Sequence, residues 1–151
     1  MSKRTAWALC AGWMLLIFAM SAAPGEVSSG QSGLLIRLLA GAVRAVTGYT
    51  PDAPALAAAE LLLRKGAHMA EYGVLMLLCM NAFRVSGSHR PGLHALLLCA
   101  AYAAGDELHQ AFVPGRGPSP IDVLIDTAGA AAAWAAARLC ARIGRCGAKS
   151  P

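Results

Sequence analysis

Residues 5–23 run for nineteen positions without a charged side chain, directly behind Lys3 and Arg4. At ~1.5 Å per residue that run reaches about 28 Å, close to the thickness of a bilayer's hydrocarbon core, so it reads as a spanning helix. Three further apolar stretches follow at about 66–84, 93–110 and 120–142. A water-soluble fold of 151 residues has too little interior to hide four such segments. Charged residues make up 14% of the chain, against roughly 25% in a soluble domain, and the mean hydropathy is +0.53, so a bilayer is the expected solvent. Aromatic residues are only 6%, and the apolar content is mostly Ala and Leu, which favours helix over strand. The expected fold is all-α: an integral membrane four-helix bundle within a single domain, 1–151, with one short amphipathic helix added. Disorder, collagen-like repeats and a small disulfide scaffold are excluded by the same composition.

The five cysteines, Cys10, Cys79, Cys99, Cys140 and Cys146, lie in apolar runs or in the basic tail, without the spacing of a zinc knuckle. They read as small buried hydrophobes or free thiols. A net charge of +5 raises the question of nucleic acid, but the basic residues sit at the ends of apolar segments instead of forming a stripe interleaved with aromatics. No nucleic-acid partner is expected; the lipid bilayer is. Ser21-Ala22-Ala23 looks like a signal-peptide cleavage site, yet Pro24 directly after it disfavours cleavage, so the first helix is expected to stay as an anchor.

Gly, Ser and Glu dominate 24–33, which predicts a loop. Residues 34–46 are apolar except for Arg37 and Arg44, seven apart and on one face with Gly41. That pattern predicts a short interfacial or re-entrant helix, too short to span. Pro51-Asp52-Ala53-Pro54 breaks the chain and starts a new helix, which Arg64-Lys65-Gly66 divides into a juxtamembrane part and a spanning part. Pro114-Gly115-Arg116-Gly117-Pro118 is a tight loop, and Ser119-Pro120 opens the last helix with Ser119 as its cap. Four spans put both termini on one side. Eight basic residues (Lys3, Arg4, Arg84, Arg90, Arg138, Arg142, Arg145 and Lys149) fall on that side, and five (Arg37, Arg44, Arg64, Lys65 and Arg116) fall opposite. The positive-inside rule then predicts cytoplasmic termini in a multi-pass protein.

Under that topology the acidic residues and histidines gather. His68 and Glu71 share a face near the outer start of the second span. Asp106 and His109 share one at the outer end of the third, with Gln110 beside them and Tyr102 one turn deeper. Asp122 and Asp126 lie four apart at the outer start of the fourth. Counted from Gly66 and Pro120, Glu71 and Asp126 each lie about 8 Å along their helices, so the groups arrive at one depth. The acidic face of the fourth helix continues through Gly129, Ala133 and Ala137, small residues that let another helix approach. Ionisable groups at membrane depth cost about 2.5–3.5 kcal/mol each, so several facing inward predict a polar pocket opening to the outside. Glu71, Asp106, Glu107, Asp122 and Asp126 oppose only Arg64, Lys65 and Arg116 there, so some carboxyls keep their protons or a cation is held. Simpler roles stand beside this one. Asp122, three after Ser119, suits a capping box. Glu107 suits a water-facing helix end, and Arg64 and Lys65 suit headgroup anchors. His68 with Glu71, or His109 with Asp106, suit structural hydrogen-bonded pairs.

Three blocks closely resemble the VanZ-like family of bacterial membrane proteins: Arg64-Lys65-Gly66-Ala67-His68-Met69-Ala70-Glu71-Tyr72; Asp106-Glu107-Leu108-His109-Gln110-Ala111-Phe112-Val113-Pro114-Gly115-Arg116; and Asp122 with Asp126-Thr127-Ala128-Gly129. Together they are specific, and they cover 64–129, a little under half of the chain. The resemblance implies Lys65, His68, Glu71, Tyr72, Asp106, Glu107, His109, Gln110, Pro114, Arg116, Asp122 and Asp126 as family-type positions. It also implies a bacterial cytoplasmic membrane protein with its pocket on the extracytoplasmic side. The founding member of the family is associated with low-level resistance to teicoplanin, a glycopeptide acting outside that membrane, and the family implies no settled reaction. In this chain Phe18-Ala19-Met20-Ser21-Ala22-Ala23-Pro24 keeps only part of the serine-rich, proline-ended stretch that relatives often carry after the first helix.

Two functional expectations follow. One is an enzyme acting on a lipid or lipid-linked cell-envelope substrate. Its candidate catalytic residues are His68, Glu71, Asp106, His109 and Asp126; Lys65, Tyr72, Glu107, Gln110, Arg116 and Asp122 are the candidate substrate-binding residues. Here a histidine is the base, a carboxyl the acid, and Arg116 or Lys65 the clamp on an anionic group such as phosphate. No metal ligand set is assigned; a divalent ion held by His and carboxylates stands as an alternative, although the spacing matches no two-histidine zinc motif. The other expectation is a non-catalytic protein whose pocket holds a headgroup or a glycopeptide fragment, or whose polar cluster only locks the helices.

Overall fold

The computed structural model describes residues 1–147, apart from the side chains of Glu26, Ser28, Gln31, Arg145 and Cys146. Among the described residues there are five helices and no strand: α1 (Lys3–Ser21), α2 (Gly25–Thr47), α3 (Ala53–Val85), α4 (Pro91–Gln110) and α5 (Pro120–Gly147). Their ends follow local chemistry. The Ser2 hydroxyl accepts from the Thr5 N–H at the start of α1, and Asp52 accepts from the Ala55 N–H at 2.9 Å to cap α3. Gly48 closes α2 with φ of 73°, a left-handed turn that only glycine enters without strain. Pro91 and Pro120 each open a helix at a position whose N–H has no partner to lose.

Helix α3 is the hub: it packs on all four others, most extensively on α5. The α3–α5 approach follows from small residues. A Cβ on Gly129 would overlap the Met69 backbone, and one on Gly73 would lie 3.6 Å from Ala133. The core behind this contact holds Ile17, Tyr72, Leu75, Met76 and Ala103, with the free thiols of Cys10, Cys79 and Cys99 among them. Outward-facing Leu15, Leu97, Leu124 and Leu139 are each more than half exposed, so apolar surface is turned away from the core on three helices. Two helical stretches, Lys3–Ser21 and Pro120–Gly144, are long and apolar enough to cross a membrane by length and composition.

The largest departure from expectation is α2. The loop expected at 24–33 and the short helix at 34–46 are one helix, Gly25–Thr47. Ser32, which read as a loop residue, is used by the helix. Ser32 Oγ bonds back to the Ser29 carbonyl at 3.2 Å and across to Glu60 of α3 at 3.0 Å. Pro24 precedes the first helical residue, where it favours a start, and the Gly25 N–H donates to the Pro114 carbonyl at 3.2 Å. Contact with α3 and with the 111–119 loop therefore overrides a composition that by itself favours a turn.

Candidate functional site

The C-terminal end of α1, the middle of α3, the C-terminal end of α4 and the first turns of α5 meet at one end of the bundle, beneath the 111–119 loop. Because α3 is continuous, its i and i+3 positions carry Lys65, His68 and Glu71 down one side. His68 Nδ1 lies 4.0 Å from Glu71 Oε2 and 3.8 Å from Asp126 Oδ1 of α5. Neither distance is a hydrogen bond. The Glu71 backbone carbonyl accepts from the Trp13 indole at 2.9 Å, which ties α1 to this stretch of α3.

On the other side of the same end the polar groups satisfy one another. The Ser21 hydroxyl donates to Asp106 Oδ1 at 2.5 Å, and Gln110 Nε2 donates to Asp106 Oδ2 at 3.1 Å; all three residues are buried. Lys65 pairs with Asp122. Glu107 Oε2 accepts from the Ser119 N–H at 2.7 Å.

These partners change several assignments. Glu107 is only 5% exposed, so it does not face water; the 111–119 loop folds back and supplies its donor. Asp122 does not close a capping box on Ser119. Glu107 takes that N–H, and Asp122 turns to Lys65, which is therefore more than a headgroup anchor. Asp106 is bonded to Ser21 and Gln110 and not to His109. His109 instead lies against Phe18, with ring centroids 4.3 Å apart, because its position on α4 turns it toward α1.

A cavity of about 100 Å³ opens in this end, lined by Ser21, Arg64, His68, Glu71 and Arg116, with Ile17, Met20 and Ala67 as its apolar wall. Of the residues singled out in the sequence, it gathers His68, Glu71 and Arg116. Asp126 stands behind His68, and Tyr72, 6.3 Å from Tyr102 by ring centroid, lies in the core. Lys65, Asp106, Glu107, His109, Gln110 and Asp122 do not line it. Burial, and then the charge of Arg64, pull Arg116 below the usual guanidinium range, while Asp106, Glu107 and Glu71 act the other way. Arg64 and Arg116 thus give the cavity two guanidinium groups.

Five buried side-chain atoms among the described residues lack a hydrogen-bond partner: His68 Nδ1, Tyr72 OH, His109 Nε2, Arg116 Nε and Asp126 Oδ1. All five belong to the set identified in the sequence, and folded proteins leave few such groups without a reason. No group of three or more His, Cys, Asp or Glu side chains is arranged to hold a metal ion among the described residues.

Sequence reasoning missed Ser21 and the cavity-lining role of Arg64. Ser21 carried a signal: it is the hydroxyl at the end of an otherwise apolar run, three residues before Pro24. Arg64 gave none beyond its charge.

A family model described as VanZ/LLP1 matches residues 6–141, nearly the whole chain and well beyond 64–129. No curated protein and no solved structure matches the chain.

Proposed function

The chain belongs to the VanZ/LLP1 family, and from that premise we propose that it is a multi-pass membrane protein whose polar cavity binds the anionic group of a lipid or lipid-linked cell-envelope component. Family membership and the two long apolar helices point to a membrane protein. In the finer reading four segments span, at 5–23, 66–84, 93–110 and 120–142, with α2 at the interface, both termini cytoplasmic and the cavity extracytoplasmic. Engagement of such a component lowers susceptibility to a teicoplanin-type glycopeptide.

The observation that carries this reading is that two of the unpartnered buried atoms, His68 Nδ1 and Arg116 Nε, belong to residues lining a cavity with two arginines, and a third, Asp126 Oδ1, lies 3.8 Å from the His68 ring. Arg64 and Arg116 suit a phosphate-like group, since a guanidinium presents several donors to an oxyanion. His68, with Asp126 and Glu71 at its ring, is the base where the bound group reacts, and a protonated carboxyl is the acid. A second reading, in which polar residues only lock helices, is favoured for Asp106, Gln110, Lys65, Asp122 and Glu107, because each already has a partner within the bundle.

Single replacements in a glycopeptide-susceptible bacterium expressing the chain separate these readings. His68→Ala, Asp126→Ala and Arg116→Gln are expected to insert normally and to lose the protection that the unaltered chain gives. If His68→Ala and Asp126→Ala leave protection intact, a reaction at this site is ruled out. Glu71→Gln that abolishes protection while a phosphate-bearing lipid still binds would exclude binding alone. An accessibility label that reaches an engineered Arg116→Cys only from the cytoplasm would overturn the orientation.

A further inference from the structure

The opposite end of the bundle has a cleft of its own. Three adjoining cavities of about 340, 480 and 510 Å³ share Arg138 in their walls, and together they are bounded by the C-terminal half of α5, the end of α3 and the start of α4. Arg84, Arg90, Arg138 and Arg142 border these hollows; Met80 and Trp134 form apolar walls between the helices, and outward-facing Leu139 extends the apolar surface along α5. Trp134 is held in place: a Cβ on Gly92 would overlap its indole ring, and the Arg138 guanidinium lies 5.6 Å from its centroid.

Among the described residues no carboxylate answers these charges. Along the helices the nearest acidic residues are Glu71, thirteen before Arg84; Asp126, twelve before Arg138; and Asp106, fifteen after Pro91. Those separations are about 18–22 Å at the α-helical rise, beyond the ~8–10 Å Debye length at physiological salt. Among the described residues none of the four arginines forms an ion pair; Arg84 bonds only the Asn81 amide oxygen, at 2.9 Å.

A positive-inside bias accounts for arginines at this end but not for a cleft with an aromatic wall between them. From this charge and shape we infer that the cleft binds an anionic phospholipid, its phosphate among Arg84, Arg138 and Arg142, which line one of the three hollows together, and an acyl chain along Trp134 and Leu139. Basic pockets between spanning helices suit anionic headgroups, and the apolar surface suits the chain attached to one. This site rests on the membrane reading proposed above and is independent of the polar cavity at the other end.

The test is lipid retention by the full chain in a neutral detergent, read by native mass spectrometry. Phosphatidylglycerol and phosphatidylcholine of matched acyl chains are titrated, with inorganic phosphate as competitor. Phosphatidylglycerol is expected to bind roughly tenfold tighter. The R138Q/R142Q variant should lose about 10- to 30-fold of that affinity, R138K/R142K should keep most of it, and R37Q/R44Q on α2 should be unchanged. Millimolar phosphate should not displace the lipid, since it has no acyl chain. Equal retention of the two lipids, equal loss in R37Q/R44Q, or displacement by free phosphate would each overturn the site. Carbonate extraction of native membranes tests the underlying reading separately: a chain washed off as soluble protein removes the membrane reading, whereas an inserted chain without lipid preference removes only this site.

Discussion

At the polar end of the bundle two halves with the same kinds of residue are built differently. In one half Ser21, Asp106, Gln110, Lys65, Asp122, Glu107 and the Ser119 N–H pair among themselves. In the other, His68, Asp126 and Arg116 hold buried atoms with no partner and surround the cavity or stand just behind its wall. A buried polar group that is paired contributes fixed geometry; one that is unpaired is held at a cost of about 1–3 kcal/mol. The comparison teaches that residue type and depth do not assign a role. Whether a carboxylate locks helices or meets a ligand depends on what the neighbouring helix offers it.

Replacing members of each half should separate stability from function. The largest loss of stability is expected for Asp106→Ala, which strips the buried acceptor from both Ser21 and Gln110; about 3 kcal/mol should disappear from unfolding in detergent. A loss no larger than that of an exposed alanine substitution would dissolve the locked half. Glu107→Ala removes one charge-assisted bond to the Ser119 N–H and should cost about 1.5–3 kcal/mol, seen as faster proteolysis of the 111–119 loop. Lys65 and Asp122 are each about 30% exposed, so a double-mutant cycle should give a coupling of only about 0.2–1 kcal/mol. Smallest of all, His68→Ala should leave the melting temperature nearly unchanged, because neither carboxylate near its ring is within hydrogen-bond distance. Glycopeptide protection should nevertheless vanish. Were stability and protection to fall in step here too, the two halves would be one helix lock.

Much of the polar inventory at this end of the bundle was legible in the sequence. The five unpartnered atoms all fall on residues picked out by motif and by the rarity of charge in an apolar chain. What was misread was misread for a common reason. Glu107 looked like a helix end facing water because sequence does not say that 111–119 folds back over it. Ser32 and its neighbours looked like a loop because Glu60, the residue that bonds Ser32, lies 28 positions away. His109 was matched to Asp106 by spacing along α4, whereas the rotation of α4 against α1 turned His109 to Phe18 and left Asp106 to Ser21.

The sequence by itself determined the all-helical class, the start of α5 at Pro120, and the small stripe at Gly129 and Ala133 that meets α3. Each rests on interactions within a few residues or on side-chain volume, which a linear chain already specifies. Only the tertiary structure decided which polar groups meet: Ser21 with Asp106, Lys65 with Asp122, His68 beside Asp126. Those pairings depend on how each helix is rotated and how far it slides against its neighbours, set by packing summed over the whole interface and written at no single position.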